Sequence, residues 1–389
     1  MKFHNFDEEI ERRGTDCKKW NTYPPEVLPM WVADTDFKAP QEVIDALVDR
    51  AKHGVFGYTG MTGGSFEKVT ASWLRRRFGW QAEPSWVEYT PTIGTALAFA
   101  VTSFSMPGDS VVIQTPLYPP FRIGIESNGR KAVASPLQWR DGTYAIDFED
   151  LEKKLAQPGT RLLLLCNPHN PTGKCYTREE LLRISELCLR HDVVVFSDEI
   201  HADFIYGANA MVSFPTLSPE AAMQSLVAVN PSKTFNIADF KTAAVVSANA
   251  DLLDKYRATV QGARLGRVSF GIKAYEIAFT ECDYYMDQVR DYIGRNMAYA
   301  VQYFHDRIPA IRAYHPDATY LLWLDCRELG LPQAALEKFF LEKAGVAFNS
   351  GTEFGPEGEG FMRMNLGCTM KVLRDGLERI EKAVNGPRN

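Results

Sequence analysis

The sequence predicts an α/β protein built on a mostly parallel sheet covered by helices, with a second, smaller α/β lobe. Three observations point there. Short apolar runs rich in β-branched residues alternate with helix-period segments from about Glu88 to Val246. The turns that follow those runs are polar and marked by proline or asparagine. From about Gly271 the chain adds a further strand, helix, strand, helix succession after a long helical stretch. Strands that are apolar along their whole length belong where both sheet faces are buried. At 389 residues two domains are expected. We place their boundaries at 1–45, an arm that joins the smaller domain, 46–285, the large domain, and 286–389, the C-terminal small domain.

Met1 to about Pro40 reads as an extended arm punctuated by Tyr23-Pro24-Pro25 and Leu28-Pro29-Met30-Trp31. Its aromatics need a surface to lie on, in this chain or in a second subunit. A helix follows from about Pro40, where Val43, Ile44, Leu47 and Val48 repeat at helical spacing. Gly54 to Gly64 is dense in glycine but matches neither a P-loop nor the dinucleotide fingerprint, so it reads as a loop before a helix over Ser65 to Phe78. Ser110 to Gln114, Arg161 to Cys166, Val193 to Ser197 and Ser225 to Val229 are the strands. Thr177 to His191 is a helix with Thr177 as N-cap and Glu180 at the capping-box position. The later segments are one long helical stretch, Ala274 to His305, a strand over Thr319 to Asp325, and a helix near Pro332 to Ala344. A glycine-rich loop, Gly351 to Gly360, and the run Phe361 to Asn365 follow.

Composition narrows the function. The net charge is −6 and the basic residues are scattered, so neither nucleic acid nor an anionic membrane is an expected partner. Met1 to Arg13 lacks an apolar signal-peptide core and no stretch is apolar enough to span a bilayer, so a cytoplasmic protein is expected. Seven widely spaced cysteines without a C-x-x-C pair argue against a disulfide scaffold and a zinc site, and no metal is expected.

Ligands of such sheets bind beyond the carboxyl ends of the strands. Tyr118 follows the first of these strands, Asn170 the second, Asp198 and His201 the third, and Ser232-Lys233 the fourth. A ring, an amide, a carboxylate and an amine thus converge on one edge. A lysine just past a buried strand, with a hydroxyl before it and no carboxylate beside it, can act as an amine nucleophile. We read Lys233 as forming a Schiff base with pyridoxal phosphate.

Asn170-Pro171-Thr172-Gly173, Ser197-Asp198-Glu199-Ile200-His201 and Ser232-Lys233-Thr234-Phe235-Asn236, at these separations, resemble the fold-type I pyridoxal-phosphate enzymes. Met30 to Phe37, Phe56-Gly57-Tyr58, Tyr118-Pro119-Pro120-Phe121, Thr319 to Asp325 and Phe354 to Cys368 are similar to the MalY/PatB group of cystathionine β-lyases, or C–S lyases, within that superfamily. The resemblance spans essentially the whole chain. It implies the fold-type I transferase fold, with a mostly parallel seven-stranded sheet in the large domain, and pyridoxal 5'-phosphate as cofactor. By position it implies Lys233 as the Schiff-base lysine and general base, Asp198 as partner of the pyridine nitrogen, Asn170 as donor to the phenolic oxygen and Tyr118 as the stacking ring. The phosphate would be held by the Thr92 and Ile93 amides at the start of a helix over Gly94 to Phe104, by Ser232, and by Tyr58 from the neighbouring subunit of a homodimer. Arg363 would take the substrate α-carboxylate.

Three positions depart from the wider family. His201 stands where many aminotransferases have tyrosine, and either contacts the cofactor or stands behind it. Asp239-Phe240 replace the usual residues after the lysine motif, and Lys241 is either a phosphate-binding cation or a solvated lysine. The implied activity is β-elimination of L-cystathionine or related cysteine S-conjugates to a thiol, pyruvate and ammonia. Aminotransfer by a class I/II enzyme is the alternative, using the same residues. A pyridoxal-binding regulator is a further one, although no basic recognition helix is evident.

Overall fold

Seven strands form the central sheet: β1 (Val87–Thr90), β2 (Ser110–Ile113), β3 (Lys131–Ala134), β4 (Thr160–Cys166), β5 (Val194–Asp198), β6 (Ser225–Val229) and β7 (Ala243–Val246). Their order is β1-β7-β6-β5-β4-β2-β3, and β7 alone runs against the others. The computed structural model describes residues 2–386 apart from 61–63, 141 and 209. Met1 and part of the glycine-dense loop, Met61 to Gly63, therefore lie outside the described residues.

Period-two alternation fills both sides of the sheet. Leu162, Leu164 and Cys166 join one core with Val111, Phe196 and Ala228; Leu163 and Leu165 join the opposite core with Val112 and Val195. Helices α3 (Ile93–Phe104) and α6 (Arg178–Arg190) cover the two sides: Ala96, Leu97 and Ala100 pack into the first core, Leu181, Ile184 and Cys188 into the second. This double burial explains why the strands carry no polar alternation. The α6 cap is complete: Thr177 Oγ1 accepts from Glu180 N at 3.2 Å and Glu180 Oε2 accepts from Thr177 N at 3.0 Å.

The smaller sheet comprises β8 (Arg312–Ala313), β9 (Leu321–Asp325), β10 (Asn349–Ser350) and β11 (Phe361–Asn365), in the order β8-β9-β11-β10. Its core takes Leu28 and Met30 from the arm along with Leu322, Leu324, Met362 and Met364. Leu28–Pro29 pairs in parallel with Val346–Ala347, which docks the arm on its own chain.

The elements differ from expectation in three places. The arm is not extended throughout, because Lys18–Asn21 forms one helical turn. The stretch Ala274 to His305 is two helices, Ser269–Glu281 and Asp283–Arg307, broken at Cys282. Apolar spacing continues through the break, so periodicity alone does not mark it. The second of these helices is shared between lobes: Tyr285 and Val289 belong to a core with the large sheet, Met297 and Phe304 to the small-lobe core. The helix near Pro332 to Ala344 is α-helical over Gln333–Lys338 and widens to a π-turn over Phe339–Ala344. Among the described residues no helix is long and apolar enough to cross a membrane.

Candidate active site

At the carboxyl edge of β4, β5 and β6 lies a cavity of about 270 Å3. Register sets it: Cys166 pairs with Asp198, and Asp198 with Ala228, so three neighbouring strands end level and their turns leave from one edge. Thr92, Ile93, Tyr118, Asn170, Asp198, His201, Ser232 and Lys233 all line this cavity. Arg363, on β11, reaches it through Asn170. Tyr58 does not reach it: its side chain is fully exposed, beside Phe56, Arg267 and Val268 in another groove.

The turn after β6 presents the lysine. Asn230 Oδ1 accepts from Ser232 N at 2.8 Å, and Pro231 O accepts from Phe235 N at 2.9 Å. Lys233 Nζ then donates to the Ala33 carbonyl at 2.6 Å and has no ion pair among the described residues. Burial lowers its pKa to about 8, against the opposing pull of Asp34 and Asp198. A lysine so placed has about a tenth of its amine in the nucleophilic, unprotonated form at pH 7, far more than an ordinary lysine.

Asp198 ends β5 and is 4% exposed. Its Oδ1 accepts from Ile200 N at 3.1 Å, no cation pairs with it among the described residues, and burial pushes its pKa up to about 7. Such a carboxyl is complete only with a proton or a cation beside it. Glu199, next along, lies on the other side of the strand, where its Oε1 accepts from Ser197 Oγ and Phe214 N.

Arg363 is 3% exposed and has no carboxylate partner among the described residues. It donates from Nη1 to Asn170 Oδ1 at 2.9 Å and from Nη2 to Trp31 O at 3.1 Å and Asn349 Oδ1 at 2.6 Å, while Nε finds no partner among the described residues. Burial lowers its pKa to about 10, and the guanidinium packs over Phe354 at 4.8 Å. A guanidinium with no counter-ion in an apolar wall is a site for a planar anion. Its bond to Asn170 also orients that amide: with Oδ1 occupied by a donor, Nδ2 is left as the group to donate.

One end of the cavity is lined by the start of a helix. Thr92 caps α3, accepting from Thr95 N at 3.1 Å, so the Ile93 and Gly94 amides of the first turn have no acceptor within the helix. Tyr118 precedes Pro119 at the start of another helix, α4 (Pro119–Glu126), and its amide donates to Asn170 O at 3.1 Å. His201 is buried, with Nδ1 unpartnered among the described residues; burial first, then the nearby Lys233 and Arg363 charges, holds its pKa well below the usual histidine range. Lys241 is exposed, follows the short 3-10 turn Ala238–Phe240 with a left-handed φ of 48°, and does not line the cavity.

Four contributors escaped the sequence. Ala33 acts through its carbonyl, which accepts from Tyr320 Oη at 2.9 Å as well as from Lys233. Asn236, with φ 55°, donates to Thr35 O and Phe37 O and clamps the arm across the site. Asn349 steadies Arg363. A buried cluster then anchors the same arm segment: Lys19 bonds Asp36 at 2.8 Å, while Arg12 bridges Asp34 and Asp36 at 2.8 and 2.6 Å. The Pro-marked arm and the segment Trp31 to Asp36 were legible as something that must dock, but a backbone acceptor carries no signal in sequence.

Residues 26–380 match the family model for aminotransferase class I and II. The chain belongs to that family. It is 42% identical over 387 residues to cystathionine beta-lyase PatB of Bacillus subtilis, covering 98% of this chain and all of the relative. Protein MalY of Escherichia coli is 31% identical, over 99% of this chain and all of MalY. The crystal structure of cystalysin from Treponema denticola, which contains a pyridoxal 5'-phosphate cofactor, superposes with a TM-score of 0.95 at 33% identity, over 99% of each chain. This member of the aminotransferase class I and II family is thus similar over nearly its whole length to a cystathionine beta-lyase.

Proposed function

We propose that this chain is a pyridoxal-phosphate-dependent carbon–sulfur β-lyase, eliminating a thiol from L-cystathionine or a related cysteine S-conjugate and leaving pyruvate and ammonia. The observation that carries this is the cavity itself: a near-neutral lysine, a buried carboxyl without a cation and a buried guanidinium without an anion meet in one space, in a chain that resembles cystathionine beta-lyase PatB end to end.

The residues fit the cofactor. Asp198 supplies the missing counter-charge for a protonated ring nitrogen, Asn170 Nδ2 a donor for the phenolic oxygen, and the open amides of α3 with Ser232 a cradle for the phosphate. Bound there, pyridoxal phosphate supplies an aldehyde for the substrate amine and a ring that accepts the electron pair left at Cα. Arg363 takes the α-carboxylate with its planar fork and so fixes which Cα bond faces Lys233. Lys233 removes and holds the Cα proton, a task suited to an amine whose pKa is about 8. The Ala33 carbonyl, itself held by Tyr320, keeps the free amine from wandering.

The working unit is a homodimer. Val55, Phe56 and Tyr58 in one loop, with Leu265 and Val268, expose a run of apolar side chains that a second copy would cover, bringing Tyr58 to the neighbouring phosphate cradle. All seven cysteines are free, which suits a reducing cytoplasm. Comparing wild type with Lys233→Ala tests the proposal. Wild type should show visible absorbance and release pyruvate from L-cystathionine; the variant should do neither. A colourless wild-type protein would overturn the proposal.

A further inference from the structure

A second cavity, of about 490 Å3, opens beside the first and shares Tyr118 with it. Its walls are apolar at Ile113, Leu117 and Ile123, and it touches the carboxylate-binding end of the site in two ways. Phe354 lines it and packs against Arg363. Glu353, also lining it, accepts from Asn349 Nδ2 at 3.0 Å, and Asn349 in turn accepts from Arg363. The cavity carries two opposite charges. Arg122 enters from α4, held among the described residues by an exposed 3.3 Å pair to Glu126 one turn on, a weak restraint that a better anion would displace. Glu353 lines the same cavity from the Thr352 to Pro356 segment, its Oε1 accepting from Ser350 N at 3.2 Å. Behind the wall, Glu357 bonds Thr115 through Oε1 at 3.0 Å and leaves Oε2 without a partner among the described residues, adding negative field on that side.

We infer that this cavity receives the far end of the substrate, and that Arg122 and Glu353 select thioethers whose sulfur carries a second charged head, Arg122 reading a carboxylate and Glu353 an ammonium. The inference rests on the lyase reading, because it assigns the far end to the leaving thiol. With one carboxylate on Arg363, a substituent on sulfur that passes Tyr118 enters this adjoining cavity, whose apolar walls and two opposite charges match a short methylene spacer with a zwitterionic tip. A simple S-alkyl group would leave both charges unused.

The test compares two ligands on the holoenzyme, S-(2-carboxyethyl)-L-cysteine and S-(2-aminoethyl)-L-cysteine, with Kd taken from the change in visible absorbance on rapid mixing. Arg122→Ala should raise Kd about tenfold for the carboxyethyl compound and leave the aminoethyl compound within about twofold. Arg122→Glu should weaken the carboxyethyl compound further and favour the aminoethyl compound over it. The aminoethyl compound is the internal control for folding and cofactor loading. Equal loss for both ligands, or no change in either, overturns the subsite. Pyruvate release is followed separately: its absence with every ligand would remove the lyase reading, while the binding constants still decide the subsite.

Discussion

Replacing Asp198 with asparagine should have opposite effects with and without cofactor. In the cofactor-free protein the carboxyl is buried with no cation, and its pKa stands near 7 instead of the ordinary 3.8. The fold therefore favours the protonated acid. The resulting penalty is absent below pH 3.8, grows between 3.8 and about 7, and is constant above that. About three pH units at ~1.4 kcal/mol each sets an upper bound of ~4 kcal/mol. With structural relaxation and the burial of the new amide, Asp198→Asn should stabilise the cofactor-free protein by ~2 kcal/mol at pH 8 and by about a quarter of that at pH 4.5. Urea unfolding of both proteins at the two pH values measures this, since every other titrating group cancels in the difference. The holoenzyme should lose most of its turnover, because an amide cannot hold a proton on the ring nitrogen. An unchanged stability at pH 8, or the same gain at both pH values, would refute the electrostatic account of the site.

Three other outcomes follow from the same geometry. If the buried guanidinium takes the substrate carboxylate as proposed, Arg363→Leu should raise KM for amino-acid substrates by about a hundredfold in steady-state kinetics while the bound cofactor keeps its visible absorbance. Lys19→Met breaks the buried 2.8 Å bond to Asp36 and leaves two carboxylates short of a cation; it should cost ~3 kcal/mol in urea unfolding and loosen the segment that carries Ala33. In the cofactor-free protein, acylation of Lys233 followed by mass spectrometry should rise through pH 8, well before the solvent-exposed lysines respond, and a midpoint above pH 10 would contradict a desolvated amine.

Much of the architecture was written in local pattern. The helix Ser65–Phe78 has the bounds its periodicity gives, the Thr177 capping box closes as its spacing requires, and the strands up to Cys166 and Val229 end where polar turn residues begin. Tyr118, Asn170, Asp198, His201, Ser232 and Lys233 were legible because they stand at or just past strand ends, which a parallel sheet gathers on one edge, whereas Thr92 and Ile93 were read from the family resemblance. What stayed hidden depends on the third dimension. The break at Cys282 interrupts no apolar pattern. The Ala33 carbonyl is backbone, which every residue possesses. Lys19 and Asp36 look like two surface charges until the arm folds over and buries them together. Tyr58 is fully exposed outside its own chain's cavity, and the phosphate contact proposed for it requires a second copy beside it.

The central claim is that the Cα electron pair leaves through sulfur and is not handed on to a second substrate. The number of thiol and pyruvate equivalents formed per active site from L-cystathionine, in the absence of any 2-oxo acid, tests it most directly. The account predicts thiol and pyruvate in equal amounts over many turnovers. A halt at or below one equivalent, with turnover restored only by 2-oxoglutarate and the amino group recovered on it, would contradict the lyase and make the protein an aminotransferase.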